Sequence, residues 1–253
     1  MLKVLYQDSL IGKKQENQDA FLVKSFDNGD RLLAVADGMG GGVMGRELAY
    51  YAIEMLQELF SKPLEYPQEK LKHAMRSIND ELRKLLSIYS VEDHNVEDIQ
   101  KGGTTLCVAY YREGVVHYVN IGDSRVWVWR EGEMINLTLD QNEYERKRLE
   151  NIYTDEEDKR FIFRILGKDS SLVVDEMLKS ERWLASGSFE LNADDILILS
   201  SDGFHDYIDE KDDGFSLALF WAESSDYNFD SILDGIEERS NDNITAIIAK
   251  EEQ

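Results

Sequence analysis

Five aspartates stand beside apolar, strand-like runs. Asp19 precedes AFLV, Asp37 follows LLAVA, Asp123 follows VVHYVNIG, Asp202 follows ILILSS and Asp242 precedes NITAIIA. Aspartate is a common turn residue, so any one of them alone reads as a turn or cap. As a set they carry more. Where many strand ends meet along one edge of a sandwich, such carboxylates can converge in one cleft. Converging carboxylates without matching Lys or Arg repel one another, and a hard divalent cation relieves that repulsion. All-oxygen ligands with retained water suit Mg²⁺ or Mn²⁺. Zinc prefers His and Cys, and four scattered His with one Cys offer it no cluster. Two such ions, roughly 3.5–4 Å apart, activate a water and clamp phosphate oxygens. The run GMGGG after Asp37 fits that use. Gly38 can offer its carbonyl to a metal, and bare backbone leaves room for water and a phosphoryl group. Read as a flexible turn before a helix, the run explains the glycines but not the acids around them.

The elements that must position these acids alternate between strand and helix patterns. KVLYQDS, AFLVKSF and RLLAVA read as strands, with a tight turn at Asp27 to Asp30. From Gly45 the spacing of Leu48, Tyr51, Ala52, Met55, Leu56 and Leu59 predicts a helix. A second helix runs near Gln68 to Ser87, with Leu71, Ala74, Met75, Ile78, Leu82, Leu85 and Leu86 as its apolar stripe. TTLCVAYY, VVHYVNI, RVWVWR and MINLT read as four strands. An irregular charged stretch follows, then SFELN, ILILSS, one or two helices between Lys211 and Ser240, and a last strand at NITAIIA. LLAVA, ILIL and ITAIIA are apolar at successive positions, so these strands are buried on both faces. Hairpins argue against an all-parallel sheet. The expectation is an α+β, four-layer α-β-β-α sandwich, two antiparallel sheets with helices on the outer faces. Both prolines share one loop and no repeat or linker interrupts the chain, which favours one domain over 1–253.

Composition sets the outer limits. Of 253 residues 42% are hydrophobic, enough for a packed core. The formal net charge of −23 repels nucleic acid and anionic lipid, so neither is an expected partner. No apolar run approaches a membrane span, and the first residues lack a signal-peptide core, so the expected location is cytoplasmic. The single Cys107 sits in an apolar run and reads as a buried, inert thiol.

The motifs ENQDAF, VADGMGGGVMGRELA, GGTT, NIGDSRVWVWREGEMINLTLDQ, ILILSSDGFHDYI and DNITAII stand in the order and spacing of a known family. From about Lys14 to Ile248 the chain resembles the protein phosphatase 2C-like family of metal-dependent Ser/Thr phosphatases, in its bacterial form. That family's fold is a two-sheet antiparallel sandwich flanked by helix pairs. The resemblance implies that Asp37 bridges two metals, that Gly38 binds one through its carbonyl, and that Asp202 and Asp242 complete the first metal site. It puts Asp19 beside the second metal, holding its water shell, and Asp123 and Asp206 at a weaker third. Thr104 and Thr105 fall to structural roles. The implied reaction is hydrolysis of phosphoserine or phosphothreonine in proteins, with Mn²⁺ or Mg²⁺ as cofactor. The partners would be a phosphorylated protein substrate and an opposing Ser/Thr kinase.

Several positions depart from the family pattern. An Arg that usually grips phosphate is Lys14 here, which either holds phosphate as a point charge or is a plain surface lysine. The acid often found before Asp19 is Gln18, and Met39 and Gly42 stand where other members carry His. Asp140–Gln141 replaces a common Asp-His pair and reads as a structural change. His205, beside the site, reads as a surface or packing residue. The segment 142–168 fills the place of the family's flap and reads as a lid or a solvated loop. Its island Arg146, Lys147 and Arg148 either meets an acidic phosphopeptide or offsets nearby Glu residues. These departures motivate a second hypothesis, a catalytically weak phosphoprotein-binding regulatory module.

Overall fold

The structure is a computed structural model that describes residues 1–39, 43–92, 102–131, 133–168, 171–207 and 230–252. Its strands are β1 Leu2–Leu10, β2 Asp19–Ser25, β3 Arg31–Met39, β4 Gly103–Thr104, β5 Leu106–Arg112, β6 Val115–Ile121, β7 Arg125–Arg130, β8 Glu133–Asn136, β9 Ser186–Glu190, β10 Ile196–Ser200 and β11 Ile244–Glu251. Its α-helices are α1 Val43–Leu59, α2 Pro67–Glu92, α3 Glu143–Leu149, α4 Ser171–Leu178, α5 Asp202–His205 and α6 Asp230–Arg239. One sheet has the order β1-β11-β10-β7-β8 and the other β2-β3-β5-β6-β9, with β4 pairing β3. Every pairing is antiparallel.

The doubly apolar strands are explained by three stacked cores. A strand's successive side chains point to opposite faces. In β3, Leu33 and Val35 enter the core between the sheets, while Leu32, Ala34 and Ala36 face α1 and α2. In β10, Leu197 and Leu199 point inward, and Ile196 and Ile198 join Ile236 of α6 on the outer face. The layers are therefore helix, sheet, sheet, helix, as the burial pattern requires. Cys107 lies in the inter-sheet core, and burial pushes its thiol up to about 12. No helix among the described residues is long and apolar enough to cross a membrane.

The segment expected to be irregular contains order. Asn142 caps α3 by accepting from the Glu145 N–H at 3.0 Å, and a 3₁₀ turn follows at Glu156–Arg160. Ion pairs hold it: Arg146 with Glu143 and Glu150, Arg148 with Glu145, Lys147 with Asp158. The basic island thus offsets neighbouring acids. Seven residues without an apolar stripe give no periodic signal, which is why α3 was not legible. Of the helices expected between Lys211 and Ser240, α6 is seen; 208–229 lie outside the described residues.

Candidate metal centre

The acids are placed by strand ends. Asp19 opens β2 and stands directly opposite Asp37 of β3 in the ladder. Thr105 holds the Asp37 backbone on both sides: its Oγ1 accepts from Asp37 N at 2.9 Å, and its own N–H donates to Asp37 O at 2.9 Å. Thr104 Oγ1 donates to the same carbonyl at 3.0 Å. The two threonines are structural, as expected. Thr105 Oγ1 also shares a hydrogen bond with Ser124 Oγ, tying the Asp37 strand to the turn that carries Asp123. That turn is braced by buried Gln141, whose Oε1 accepts from Gly122 N and whose Nε2 donates to Asn120 O. Asp140 meanwhile holds Arg125 through two bonds of 2.7 Å. The Asp140–Gln141 departure is structural.

Asp202 begins α5 immediately after β10, and Asp242 immediately precedes β11. One hydroxyl joins these ends: Ser201 Oγ accepts from Thr245 N at 3.0 Å and donates to Asp19 Oδ2 at 2.8 Å. Buried Asn243 does similar work. Its Oδ1 accepts from Gln18 N, and its Nδ2 donates to Ile11 O and Glu16 O, so it pins the loop carrying Lys14 beside Asp242. Lys14 Nζ lies 2.9 Å from Asp242 Oδ1. Ser201 and Asn243 were not singled out from sequence. Their signal was their place beside Asp202 and Asp242, but side-chain amides and hydroxyls at strand ends are too common to stand out.

Two close approaches make the rim compact. A Cβ on Gly38 would lie 2.1 Å from Gly45 O and 2.8 Å from Gln18 O, so only glycine fits. A Cβ on Gly203 would lie 1.9 Å from Asn243 O, so glycine lets α5 sit against the start of β11 and brings Asp202 to Asp242. Gly42 lies outside the described residues.

The electrostatics register the convergence. Burial first, then the charges of Asp19, Asp202, Asp123 and Asp242, push the Asp37 carboxyl well above the usual range. Asp202 is raised to about 7, by burial and then by Asp242, Asp206 and Asp19. Asp19 is raised to about 6; burial dominates, and hydrogen bonds from Thr245 and Ser201 pull it part of the way back. Burial, then Asp202, Asp140 and Asp206, raise Asp123. For Lys14 burial works downward, but the bond and charge of Asp242, with Asp37 and Asp202, outweigh it and raise the ammonium.

The donor set fits a hard divalent ion. Among the described residues, Oδ1 of Asp19, of Asp123 and of Asp202 is buried with no hydrogen-bond partner. An ionised carboxylate only accepts, so what is missing is a cation or a donor. Among the described residues no three Asp, Glu, His or Cys side chains close around one point by themselves. Mutual repulsion holds like charges apart, and Mg²⁺-type sites take only one or two carboxylates each, with carbonyl and water completing the shell.

His205 is 2% exposed, so it is buried and not a surface residue. Its Nδ1 lies 3.0 Å from Ser200 Oγ. Burial, then Arg125 and Lys159 nearby, push its pKa well down, against a hydrogen bond to the Ser200 backbone that raises it.

Residues 6–235 match the family model described as Protein phosphatase 2C. The chain belongs to the protein phosphatase 2C family. Among curated members, the serine/threonine protein phosphatase PstP of Mycobacterium tuberculosis is 34% identical over 113 residues, 44% of this chain and 21% of PstP. The chain thus spans about a fifth of that relative's length. The serine/threonine phosphatase stp of Listeria monocytogenes is 25% identical over 195 residues, 74% of this chain and 72% of stp. Among solved members, Stp1 from Staphylococcus aureus superposes with a TM-score of 0.77 at 24% identity, over 100% of this chain and 95% of Stp1. The PstP catalytic domain in complex with 2 manganese ions gives 0.76 at 25%, over 100% and 99%. The expected sandwich is thus the protein phosphatase 2C fold.

Proposed function

We propose that this chain is a metal-dependent Ser/Thr protein phosphatase, with 1–253 as one catalytic domain. One observation carries the reading: acids from four separate strand ends all act on Asp37, and buried carboxylate oxygens there lack partners among the described residues. The family and the manganese-bound PstP domain support the class of ion, Mn²⁺ or Mg²⁺.

In this reading Asp37 would be shared by two ions, the Gly38 carbonyl would bind one of them, Asp202 and Asp242 would complete the first site, and Asp19 would hold the water shell of the second. Asp123 and Asp206 would hold a weaker third. Bound divalent ions supply an activated water and neutralise charge on the phosphoryl group. The chain's own residues do the rest. Thr104 and Thr105 fix the backbone of Asp37 and Gly38. Ser201 and Asn243 keep Asp19, Asp202 and Asp242 on one rim. Lys14, whose side chain is 46% exposed, presents its ammonium at that rim, where it meets a phosphate as a point charge. Positioning and electrostatics of this kind are the main requirements of phosphoryl chemistry.

The substrate class proposed is phosphoserine and phosphothreonine in proteins, set against a Ser/Thr kinase, in the cytoplasm. The net charge of −23 disfavours nucleic acid and anionic membrane as partners. The test is hydrolysis of p-nitrophenyl phosphate and of phosphopeptides by the purified chain in Mn²⁺. Turnover that EDTA abolishes supports the reading, and turnover untouched by EDTA overturns it. Phosphopeptide binding without turnover in millimolar Mn²⁺ would instead identify a regulatory binding module.

A further inference from the structure

His205 carries a hydrogen-bonding question that the site above does not use. Trp127 Nε1 donates to Ser200 Oγ at 3.1 Å, and Ser200 Oγ lies 3.0 Å from His205 Nδ1. An indole N–H is a donor only, so Ser200 accepts there and has its own proton to give. Among the described residues the acceptor facing that hydroxyl is His205 Nδ1. A neutral imidazole has one N–H; if Nδ1 accepts, Nε2 carries it. Nε2 is fully enclosed and, among the described residues, has no hydrogen-bond partner. Asp206 Oδ1 stands 3.9 Å away, on a side chain 36% exposed. A buried N–H gains by finding an acceptor, and this is the carboxylate beside it.

We propose that His205 is a positioning residue: fixed by Trp127 and Ser200, it donates its Nε2–H to Asp206 and aims that carboxylate at the Asp123 and Asp202 side of the rim. The pairing stands on the geometry; its consequence for cation binding rests on the proposed metal reading of the same rim. Partners that orient a ligand in this way typically change metal affinity by about 10–100-fold when removed. His205 thus tunes the loosest of the ions and leaves the tighter ones alone.

The test has two arms on the full chain. In the first, long-range ¹H–¹⁵N spectra of labelled protein identify the His205 tautomer, assigned by the signal lost in His205→Gln. The expected result is an Nε2–H ring whose Nε2 resonance moves in Asp206→Asn. An Nδ1–H ring, or a resonance indifferent to Asp206→Asn, overturns the proposal. In the second, Mn²⁺ binding is titrated by electron paramagnetic resonance. His205→Asn, which reaches only the Nδ1 position, should weaken the loosest Mn²⁺ about tenfold. His205→Gln, which places an N–H near the Nε2 position, should recover it. Equal Mn²⁺ binding by wild type and His205→Asn also overturns the proposal. A wild type that takes up no Mn²⁺ sinks the metal reading of the rim, and the His205–Asp206 pairing is then decided by the spectra alone.

Discussion

At the residue scale the proposed centre rests on single carboxylates. Asp37 is opposite Asp19 in the ladder and feels the charges of Asp202, Asp123 and Asp242. Asp37→Asn keeps the shape and removes the charge. It should lower Mn²⁺-dependent turnover by about 10²–10³-fold, the range for losing one electrostatic contact to a transition state, while the melting temperature in EDTA holds or rises. Steady-state kinetics with thermal scans check both. Lys14 offers a second test, because its ammonium already stands 2.9 Å from Asp242. A charged hydrogen bond contributes roughly 1.5–3 kcal/mol, so Lys14→Ala should cost about tenfold or more in kcat/KM. Lys14→Arg should retain activity, since the fork of Arg grips phosphate with two bonds. If Lys14→Ala leaves kcat/KM unchanged, Lys14 is a surface lysine and has no part in the site. The acids were legible in the sequence because each interrupts an apolar run at its end. Ser201 and Asn243 were not, since only the fold reveals that a hydroxyl and an amide there connect three chain segments.

At the element scale the centre is where β2, β3, β10 and β11 end together, and two glycines set how closely those ends approach. Gly203→Ala would force a methyl group to 1.9 Å from the Asn243 carbonyl, so α5 or the start of β11 must move. Overpacking of this kind costs about 1–3 kcal/mol. The expected outcome is a lower melting temperature together with weaker Mn²⁺ binding, because the shift separates Asp202 from Asp242. Normal binding in a destabilised variant would show that the approach serves packing alone. The long elements were readable because their patterns are long: successive apolar residues in β3, β10 and β11 serve two cores at once. Helices α3 and α5 were not, being 7 and 4 residues long: α3 is defined by its Asn142 cap and ion pairs, and α5 is too short to show an apolar stripe.

At the scale of the whole molecule, the buried acids link folding to pH and to divalent ions. Carboxyls of Asp19 and Asp202 rise to about 6 and about 7 in the folded chain. In an unfolded chain they titrate near the ordinary value, about 3.9. The folded state therefore holds protons that the unfolded state has released. In EDTA this contribution is complete below about pH 4 and is lost as pH climbs through 6 and 7. A loss of even about 2 kcal/mol lowers the melting temperature by roughly 4–8 °C at this chain length. The melting temperature in EDTA should accordingly fall between pH 5 and pH 8. Mn²⁺ competes with those protons, so the stabilisation it gives should grow over the same interval. Thermal scans across pH with and without Mn²⁺ check this, and a flat difference between the two series would argue against a shared buried carboxylate centre.

In the proposed function, oxygens from distant parts of the chain hold a pair of divalent ions at one rim. Anomalous diffraction from crystals grown in Mn²⁺ tests it most directly. The expected result is two strong peaks flanking the Asp37 carboxylate, one of them also in contact with Asp202 and Asp242. Fully formed crystals with no anomalous density beside Asp37 at millimolar Mn²⁺ would contradict it.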